Sequence, residues 1–262
     1  MRSLVRDLLE GFRHPQFWAF SGWLDIVAKY RMSRLGILWL LLPSTLYIWG
    51  VGSFFALLQG HQLRTFAAYM AVGVMVFRFM TSVITDSATA YIGARAFIMD
   101  GHMRLSDFVL RVMAKALFFF LMSVPAAAVA LYVFPDLQWS GFMMGLAAFP
   151  LVLINMLWIG VVFSLIGARH PDLSQFIGNI FMFLFLLTPI IWSAAQMPPG
   201  SLRSKLVTYN PFYYLIETVR APIIEGHYNL DAIYICAVMA VIGSLLAIAA
   251  YRRWSRWVPI WI

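Results

Sequence analysis

An uncharged run of apolar residues, 37–58, is the feature that most constrains how this chain can fold. A run of about 20 mostly apolar residues is what an α-helix needs to cross the hydrocarbon core of a bilayer. The whole chain is 62% hydrophobic and only 11% charged, whereas soluble domains have about 25% charged residues. The sequence therefore predicts an integral membrane protein without a sizeable soluble domain.

Further apolar segments follow at about 66–90, 108–134, 142–166, 176–195 and 232–251. Segments of this length indicate helices, because helices satisfy all their backbone hydrogen bonds within the bilayer. We predict an all-α membrane protein with six transmembrane helices. Residues 1–262 then form a single transmembrane domain, with a cytoplasmic amphipathic segment at 1–35, the six-span region at 36–251 and a cytoplasmic tail at 252–262.

The distribution of Lys and Arg predicts the orientation of the chain. Most of these residues lie in the N-terminal segment, in the loops after the second and fourth spans, and in the tail. Basic residues flank spans on the cytoplasmic side, so we predict cytoplasmic termini and a bacterial inner-membrane location. This pattern accounts for the net charge of +8 without a nucleic-acid partner. The single cysteine, Cys236, excludes an internal disulfide or a multi-cysteine metal site.

Residues 17–35 mix aromatic and charged side chains. This mixture is typical of a helix that lies in the membrane interface, in contact with lipid headgroups. Pro15 suits a helix start, where its missing backbone donor costs nothing. The alternative is an irregular leader next to the membrane.

An Asn-Pro break, an aromatic cluster and two charges stand between the last two apolar segments, in residues 208–220. Ionisable residues at membrane depth are costly and face protein or water rather than lipid. We therefore predict a re-entrant helical hairpin at about 198–226, built around Asn210, Pro211, Glu217 and Arg220. It begins with a Pro-Pro-Gly break at 198–200.

Two ionisable residues lie inside the second span. Arg78 is near its middle, and Asp86 is about 12 Å further along the helix axis, too far for a direct pair. Arg78 either attracts a phosphate-bearing substrate in a water-filled route, or pairs with another helix or with water at the edge of a cavity. Exposure of Arg78 to lipid is the least favourable arrangement.

Aromatic residues are concentrated on two spans. Trp39, Tyr47 and Phe54 lie on the first, and Phe181, Phe185 and Trp192 on the fifth. Sugar rings stack on aromatic faces, so these six residues are candidates for lining a carbohydrate route. The alternative is that they face lipid or form interfacial belts.

Two charged cytoplasmic loops are candidates for contact with a motor protein, or are plain charged turns. The first, 91–107, contains Arg95, Asp100 and Arg104. The second, 168–173, contains Arg169 and Asp172.

Catalysis has little support in the sequence. The five histidines lack the close spacing of a metal site, and the chain has neither a nucleophile elbow nor a phosphate-binding Gly-x-x-x-x-Gly-Lys loop. We therefore predict no catalytic residue, metal or cofactor on this chain. An intramembrane enzyme for lipid-linked sugars, with Asp86, Glu217 or Glu225 as acid or base, remains the alternative from another class.

Several motifs occur in a characteristic order. They are residues 25–39 followed by Pro43, residues 168–173, residues 188–192 at the end of the fifth span, and residues 210–220 before the sixth. Together they resemble the membrane subunit of ABC exporters for polysaccharides and polyol phosphates. This family includes O-antigen, capsule and teichoic-acid exporters.

The resemblance implies a homodimer that works with two copies of an ATP-binding cassette subunit, which would carry ATP and Mg. It implies a channel lined by spans one and five for a lipid-linked glycan. The interface helix, with Asp25, Arg31 and Arg34, and the loop after span two would receive the motor's motion. The hairpin with Asn210, Pro211 and Arg220 would lie on the outer side. A related exporter of drugs or small lipids remains open.

Overall fold

The computed structural model describes residues 3–60, 62–101, 103–135, 137–192 and 201–262, apart from the side chains of residues 59, 202 and 203. Every regular element in these ranges is helical, which confirms the all-α prediction. In the described ranges, five helical segments are long and apolar enough to cross a membrane. They are Gly36–Leu58, Leu63–Gly93, Leu105–Tyr132, Trp139–Arg169 and Leu230–Trp261.

The N-terminal segment forms two helices, α1 (Leu4–Arg13) and α2 (Gln16–Tyr30), separated at Pro15. Helix α1 falls within the amphipathic segment predicted at 1–35, but the sequence prediction specified a helix only from residue 17 onwards. Gly11 lets α1 pack closely, because a Cβ atom there would lie 2.8 Å from Leu110 Cδ1. Buried Asp7 accepts a hydrogen bond from the Tyr251 hydroxyl at 2.6 Å. Contacts that are distant in sequence thus hold α1 in place.

The first apolar segment is helical but irregular. It begins with a 3₁₀ turn, Gly36–Leu40, and continues through α3 (Leu41–Thr45), a π-helical segment (Leu46–Val51) and α4 (Gly52–Gln59). Gly36 has a φ of 53°, a left-handed conformation that favours glycine. π-Helical segments occur often at functional sites, and this one contains Tyr47.

Helix α5 (Leu63–Gly93) is the central helix of the protein. In the most apolar 18-residue stretch of α5, 78% is buried inside the protein, whereas in the corresponding stretch of α7 (Leu105–Tyr132) the buried share is 28%. A short helix, α6 (Arg95–Met99), lies between them, and α8 is Trp139–Arg169. A Cβ atom at Gly167 of α8 would lie 1.9 Å from the Ala88 carbonyl oxygen. The backbones of α5 and α8 therefore approach closely, as small residues permit in membrane helix pairs.

Helix α9 (Leu173–Leu187) ends earlier than the fifth span predicted at 176–195. The reason is Pro189, because a residue before proline is forced out of the helical conformation. Thr188 is extended, with φ −83° and ψ 134°. With 15 residues, α9 is about 22 Å long at a rise of ~1.5 Å per residue. It is therefore shorter than the five long segments.

The region of the predicted hairpin contains α10 (Leu202–Thr208) and α11 (Pro211–Glu225). The predicted break at 198–200 lies outside the described residues. Asn210 begins α11, because its side-chain oxygen accepts a hydrogen bond from the Phe212 N–H at 3.0 Å. The last long helix is α12 (Leu230–Trp254). After a 3₁₀ turn, Ser255–Trp257, the predicted tail continues as α13 (Val258–Trp261), with Val258 buried.

Candidate functional site

A cleft of about 420 Å³ opens between the π-helical segment, α5 and α9. We call it the Arg78 cleft. Its lining comprises Tyr47, Val74, Phe77, Arg78, Thr81, Ser82, Gly178, Phe181, Met182 and Phe185. Four of the residues that the sequence singled out, Tyr47, Arg78, Phe181 and Phe185, come from three separate helical segments and meet here.

Arg78 is exposed within an otherwise buried or half-buried stretch of α5. Among residues 66–80 of α5, which are all described, it is the one exposed position. The intramembrane arginine of the sequence prediction therefore does not lie inside the packed protein. The cleft gives it space for water or a ligand.

Aromatic rings form part of the wall of the cleft beside Arg78. The rings of Tyr47 and Phe185 meet edge to face with centroids 5.5 Å apart. Behind them Phe181, which is 6% exposed, packs against Phe77 at 5.8 Å. The Arg78 Cζ atom lies 5.9 Å from the centroid of the Tyr47 ring, a distance at which a cation is attracted to a ring face.

The chemistry of this cleft suits a ligand that combines a sugar with a phosphate. A guanidinium group has a rigid set of N–H donors that matches phosphate oxygens. The aromatic rings offer apolar faces, and Ser82 and Tyr47 add hydroxyl groups. A cavity of this size lies in the usual range for small-molecule sites, about 300–1,000 Å³.

The other three aromatic candidates lie outside the cleft. Trp39 is 44% exposed in the 3₁₀ turn, and Phe54 is 58% exposed on α4. Trp192 lies beyond the end of α9, where its Nε1–H donates to the Leu186 carbonyl at 3.0 Å. Lining of a channel by these three residues stays a prediction.

Asp86, the second intramembrane charge, pairs with a base on the neighbouring helix. Lys115 Nζ of α7 lies 2.8 Å from Asp86 Oδ2, and both side chains are half-buried. One turn earlier on α7, Arg111 contacts both carboxylate oxygens of Asp25, at 2.9 and 2.5 Å. These two pairs border a small polar pocket of about 160 Å³. Helix α7 thus connects α2 with α5.

Of the remaining candidates for contact with a partner, all except Arg104 are exposed at the surface. Arg104 is half-buried and contacts Glu10 at 3.3 Å and Asp107 at 3.6 Å. Glu10 also accepts a hydrogen bond from Arg6 at 2.9 Å, which lowers the pKa of the Glu10 carboxyl group.

The exposed candidates are Arg31, Arg34, Arg95, Asp100, Arg169 and Asp172. The Arg169 guanidinium lies 5.6 Å from the centroid of the Trp261 ring.

A second polar centre surrounds Arg220, which is only 1% exposed. Its Nη2 group pairs with Glu217, and its Nη1–H donates to the Pro189 carbonyl at 2.7 Å. The guanidinium lies over the Tyr69 ring, 3.9 Å from its centroid. The Tyr69 hydroxyl donates to the same Pro189 carbonyl at 3.2 Å.

Asn210 extends this polar centre. Its side-chain amide donates to the Thr188 hydroxyl at 2.9 Å, at a buried position. Pro211, exposed at the first position of α11, has no backbone N–H to satisfy. We call the set Tyr69, Thr188, Pro189, Asn210, Glu217 and Arg220 the Arg220 network. It joins the end of α9 to α11 and α5.

Sequence reasoning missed three contributors to these centres. Lys115 and Arg111 lie four residues apart on one face of α7, a spacing that could have indicated two bases aimed at neighbouring acids. Tyr69 carries no such signal, because a tyrosine in an apolar span resembles any other aromatic residue. Its contact with Arg220 depends on how α5 and α11 pack.

A bundle of long apolar helices with a cleft that combines a cation and aromatic rings is the architecture of a membrane protein with several spans. The chain belongs to the ABC-2 type transporter family, whose profile matches residues 16–224, which is most of its length.

Known relatives agree with this family. The chain is 24% identical over 237 residues to the O-antigen export system permease protein RfbA of Klebsiella pneumoniae, covering 87% of this chain and 88% of that protein. It is 25% identical over 236 residues to the RfbA permease of Myxococcus xanthus, covering 88% and 89% of the two chains. The resemblance predicted from the motifs is therefore confirmed at the level of the family.

Proposed function

We propose that this chain is the membrane subunit of an ATP-driven exporter that moves a lipid-linked polysaccharide, of O-antigen or capsule type, across the bacterial inner membrane. The observation that carries the proposal is the Arg78 cleft, which places a cation beside packed aromatic rings on a membrane-embedded helix bundle. The relatives named as O-antigen export permeases support this substrate class.

The working unit is a homodimer. The first apolar segment and α9, which both line the Arg78 cleft, present large exposed apolar side chains that could pack against a second subunit. Those with the largest exposures are Leu38, Leu57, Leu58, Met182 and Phe183. If a second copy packs against the edges of the surface formed by the first apolar segment and α9, the Arg78 cleft of each subunit faces a central channel between the two copies.

Energy comes from two copies of a separate ATP-binding cassette subunit, which bind ATP and Mg. The exposed candidates Arg31, Arg34, Arg95, Arg169 and Asp172 supply the surface for that subunit. Its motion would reach α5 through the Asp25–Arg111 and Lys115–Asp86 pairs of α7. Of the acids considered for catalysis, Asp86 pairs with Lys115, Glu217 pairs with Arg220, and exposed Glu225 lies 3.5 Å from His227.

Six membrane crossings, a re-entrant α10–α11 hairpin on the outer side and cytoplasmic termini complete the proposed topology. Single cysteines at Ser3 and Arg256 test it with a membrane-impermeant thiol reagent on intact cells and on inside-out vesicles. Both should react only in inside-out vesicles. The unmodified chain is the control, because its Cys236 is buried. Labelling of the two positions from opposite sides would contradict the topology.

Export itself is tested with the purified chain and its ATP-binding subunit in proteoliposomes. We expect ATP-dependent movement of a lipid-linked glycan, with loss of transport when the ATPase site of the partner subunit is inactivated. ATPase stimulation by drugs or short lipids, and none by lipid-linked glycan, would favour the exporter of drugs or small lipids. Turnover of lipid-linked sugar by the chain alone would favour the enzyme.

A further inference from the structure

We propose that the Arg78 cleft binds the phosphate groups of the lipid-linked substrate while they cross the membrane, with the Arg78 guanidinium as the ligand of the anion. This inference rests on the proposed function and names the part of the substrate that this chain would recognise. Neither the family nor the names of the relatives assign a role to this residue.

The position of Arg78 is the first support. It is the sixteenth of the 31 residues of α5, so it lies about 22 Å from the start of the helix at a rise of ~1.5 Å per residue. This is close to the midpoint of the helix. A charged substrate that passes the middle of this span would meet Arg78 half-way along its route.

The charge of Arg78 is also available for a ligand. An arginine at the centre of a span costs about 3 kcal/mol of insertion free energy, so an uncompensated one calls for a reason. Among the described residues no carboxylate pairs with Arg78, because Asp86 pairs with Lys115 and Glu217 with Arg220. The Tyr47 ring contacts the guanidinium but does not neutralise it.

Hydroxyl groups complete a site for an oxyanion. Ser82 and Tyr47 line the cleft, and within the described residues neither hydroxyl has a hydrogen-bond partner. Both can therefore donate to a phosphate oxygen while Arg78 donates two N–H groups. Charge-assisted bonds of this kind are about twice as strong as neutral ones.

Burial of a phosphate charge without a partner is the main electrostatic obstacle to moving a lipid-linked glycan across a bilayer. A cation half-way along the route lowers this obstacle. Exposure in an open cleft keeps Arg78 hydrated, so the phosphate is bound weakly enough to move on. In a homodimer two such sites would face the channel.

A binding assay on the purified chain in phosphatidylcholine nanodiscs tests the inference. The probes are farnesyl diphosphate and, as the neutral control, farnesol, with binding followed by tryptophan fluorescence. We expect Arg78→Gln to weaken farnesyl diphosphate binding by about tenfold or more, as loss of a charge-assisted hydrogen bond implies. Arg78→Lys should retain part of the affinity. Farnesol binding should not change.

Arg64→Gln is the matched control, because Arg64 is also an exposed arginine of α5 but lies at its start. It should bind farnesyl diphosphate like the unmodified chain. Equal melting temperatures of Arg64→Gln and Arg78→Gln establish that both fold. Unchanged binding by a folded Arg78→Gln variant overturns the inference.

Repeating the assay in nanodiscs with phosphatidylglycerol distinguishes the two sources of phosphate. Undiminished farnesyl diphosphate binding supports a site for the substrate lipid, whereas its displacement shows a site for bulk headgroups and overturns the inference.

The assay needs neither ATP nor a partner subunit. Binding that does not depend on Arg78, in a complex that still exports glycan, therefore overturns only this inference. A wild-type complex that exports no glycan overturns the proposed function itself.

Discussion

Arg220 donates a hydrogen bond from Nη1 to the backbone carbonyl of Pro189 at 2.7 Å, across 31 residues of sequence. Pro189 lies two residues beyond the end of α9 at Leu187, and Arg220 lies within α11. The proline that terminates α9 thus supplies a free carbonyl oxygen for the buried arginine. This bond and the Glu217 pair hold the end of α9 against the hairpin region.

Loss of Arg220 should destabilise the protein strongly. Removal of one member of a buried ion pair leaves the other charge uncompensated, at a cost of about 3–5 kcal/mol. We expect Arg220→Ala and Glu217→Gln each to lower the midpoint of thermal unfolding in detergent, followed by tryptophan fluorescence. Replacing both residues with methionine should recover most of the loss. Lys205→Ala, at an exposed position of α10, is the control and should have no effect. An Arg220→Ala variant as stable as this control would contradict the network.

Gly167→Ala should separate α5 from α8. The added Cβ atom would lie 1.9 Å from the Ala88 carbonyl oxygen, so the two backbones would have to move apart. We expect lower yield and a lower unfolding midpoint, with a cost of about 1–3 kcal/mol for such overpacking. Gly93→Ala is the matched control, because no described atom lies within 4 Å of a Cβ there. Equal stability of the two variants would refute the close approach of the helices.

Charge reversal at Lys115 should impair transport, and a second reversal should restore it. Lys115→Glu places two carboxylates at a contact that now measures 2.8 Å, and their repulsion pushes α5 away from α7. We expect reduced glycan export in cells and partial recovery in the double variant Asp86→Lys with Lys115→Glu. Lys205→Glu, on exposed α10, should export normally. If the double variant does not recover glycan export, the Lys115–Asp86 pair does not couple α7 to α5 during transport.

Alanine at Tyr47 or Trp39 should reduce export without preventing assembly, because each removes an aromatic face from the proposed sugar route. Tyr47→Ala should have the larger effect, since Tyr47 contacts both Phe185 and Arg78. The measurements are surface glycan in cells and membrane content of the subunit. Tyr234→Ala, at a 70% exposed position of α12, is the control. Normal surface glycan in both variants would remove the first span from the proposed route.

Much of the fold was predictable because its signals are local. The uncharged segment 37–58 and the later apolar runs indicate helices through length and composition alone. The break at Asn210-Pro211 also follows from local chemistry, and α11 begins there. The early end of α9 was missed although Pro189 is plainly visible, because an apolar stretch continues past it and only the backbone conformation shows where the helix stops.

The candidate site was predictable only in its parts. Tyr47, Arg78, Phe181 and Phe185 could be selected one by one, but nothing in the sequence states that they border one cleft. The packing position of α1 could not be predicted, because it depends on contacts such as that of Asp7 with Tyr251, which are 244 residues apart.

The amino-acid sequence alone determined that this protein is helical and apolar enough for a membrane, and that charges lie within its spans, since these properties depend on residue type and near neighbours. The tertiary structure decided which of these charges are paired and which are exposed. Arg220 is buried with Glu217 and Pro189, whereas Arg78, also on an apolar helix, faces a cleft. The physical reason is that burial and pairing depend on which helix faces pack together, and helix packing joins residues that no local pattern connects.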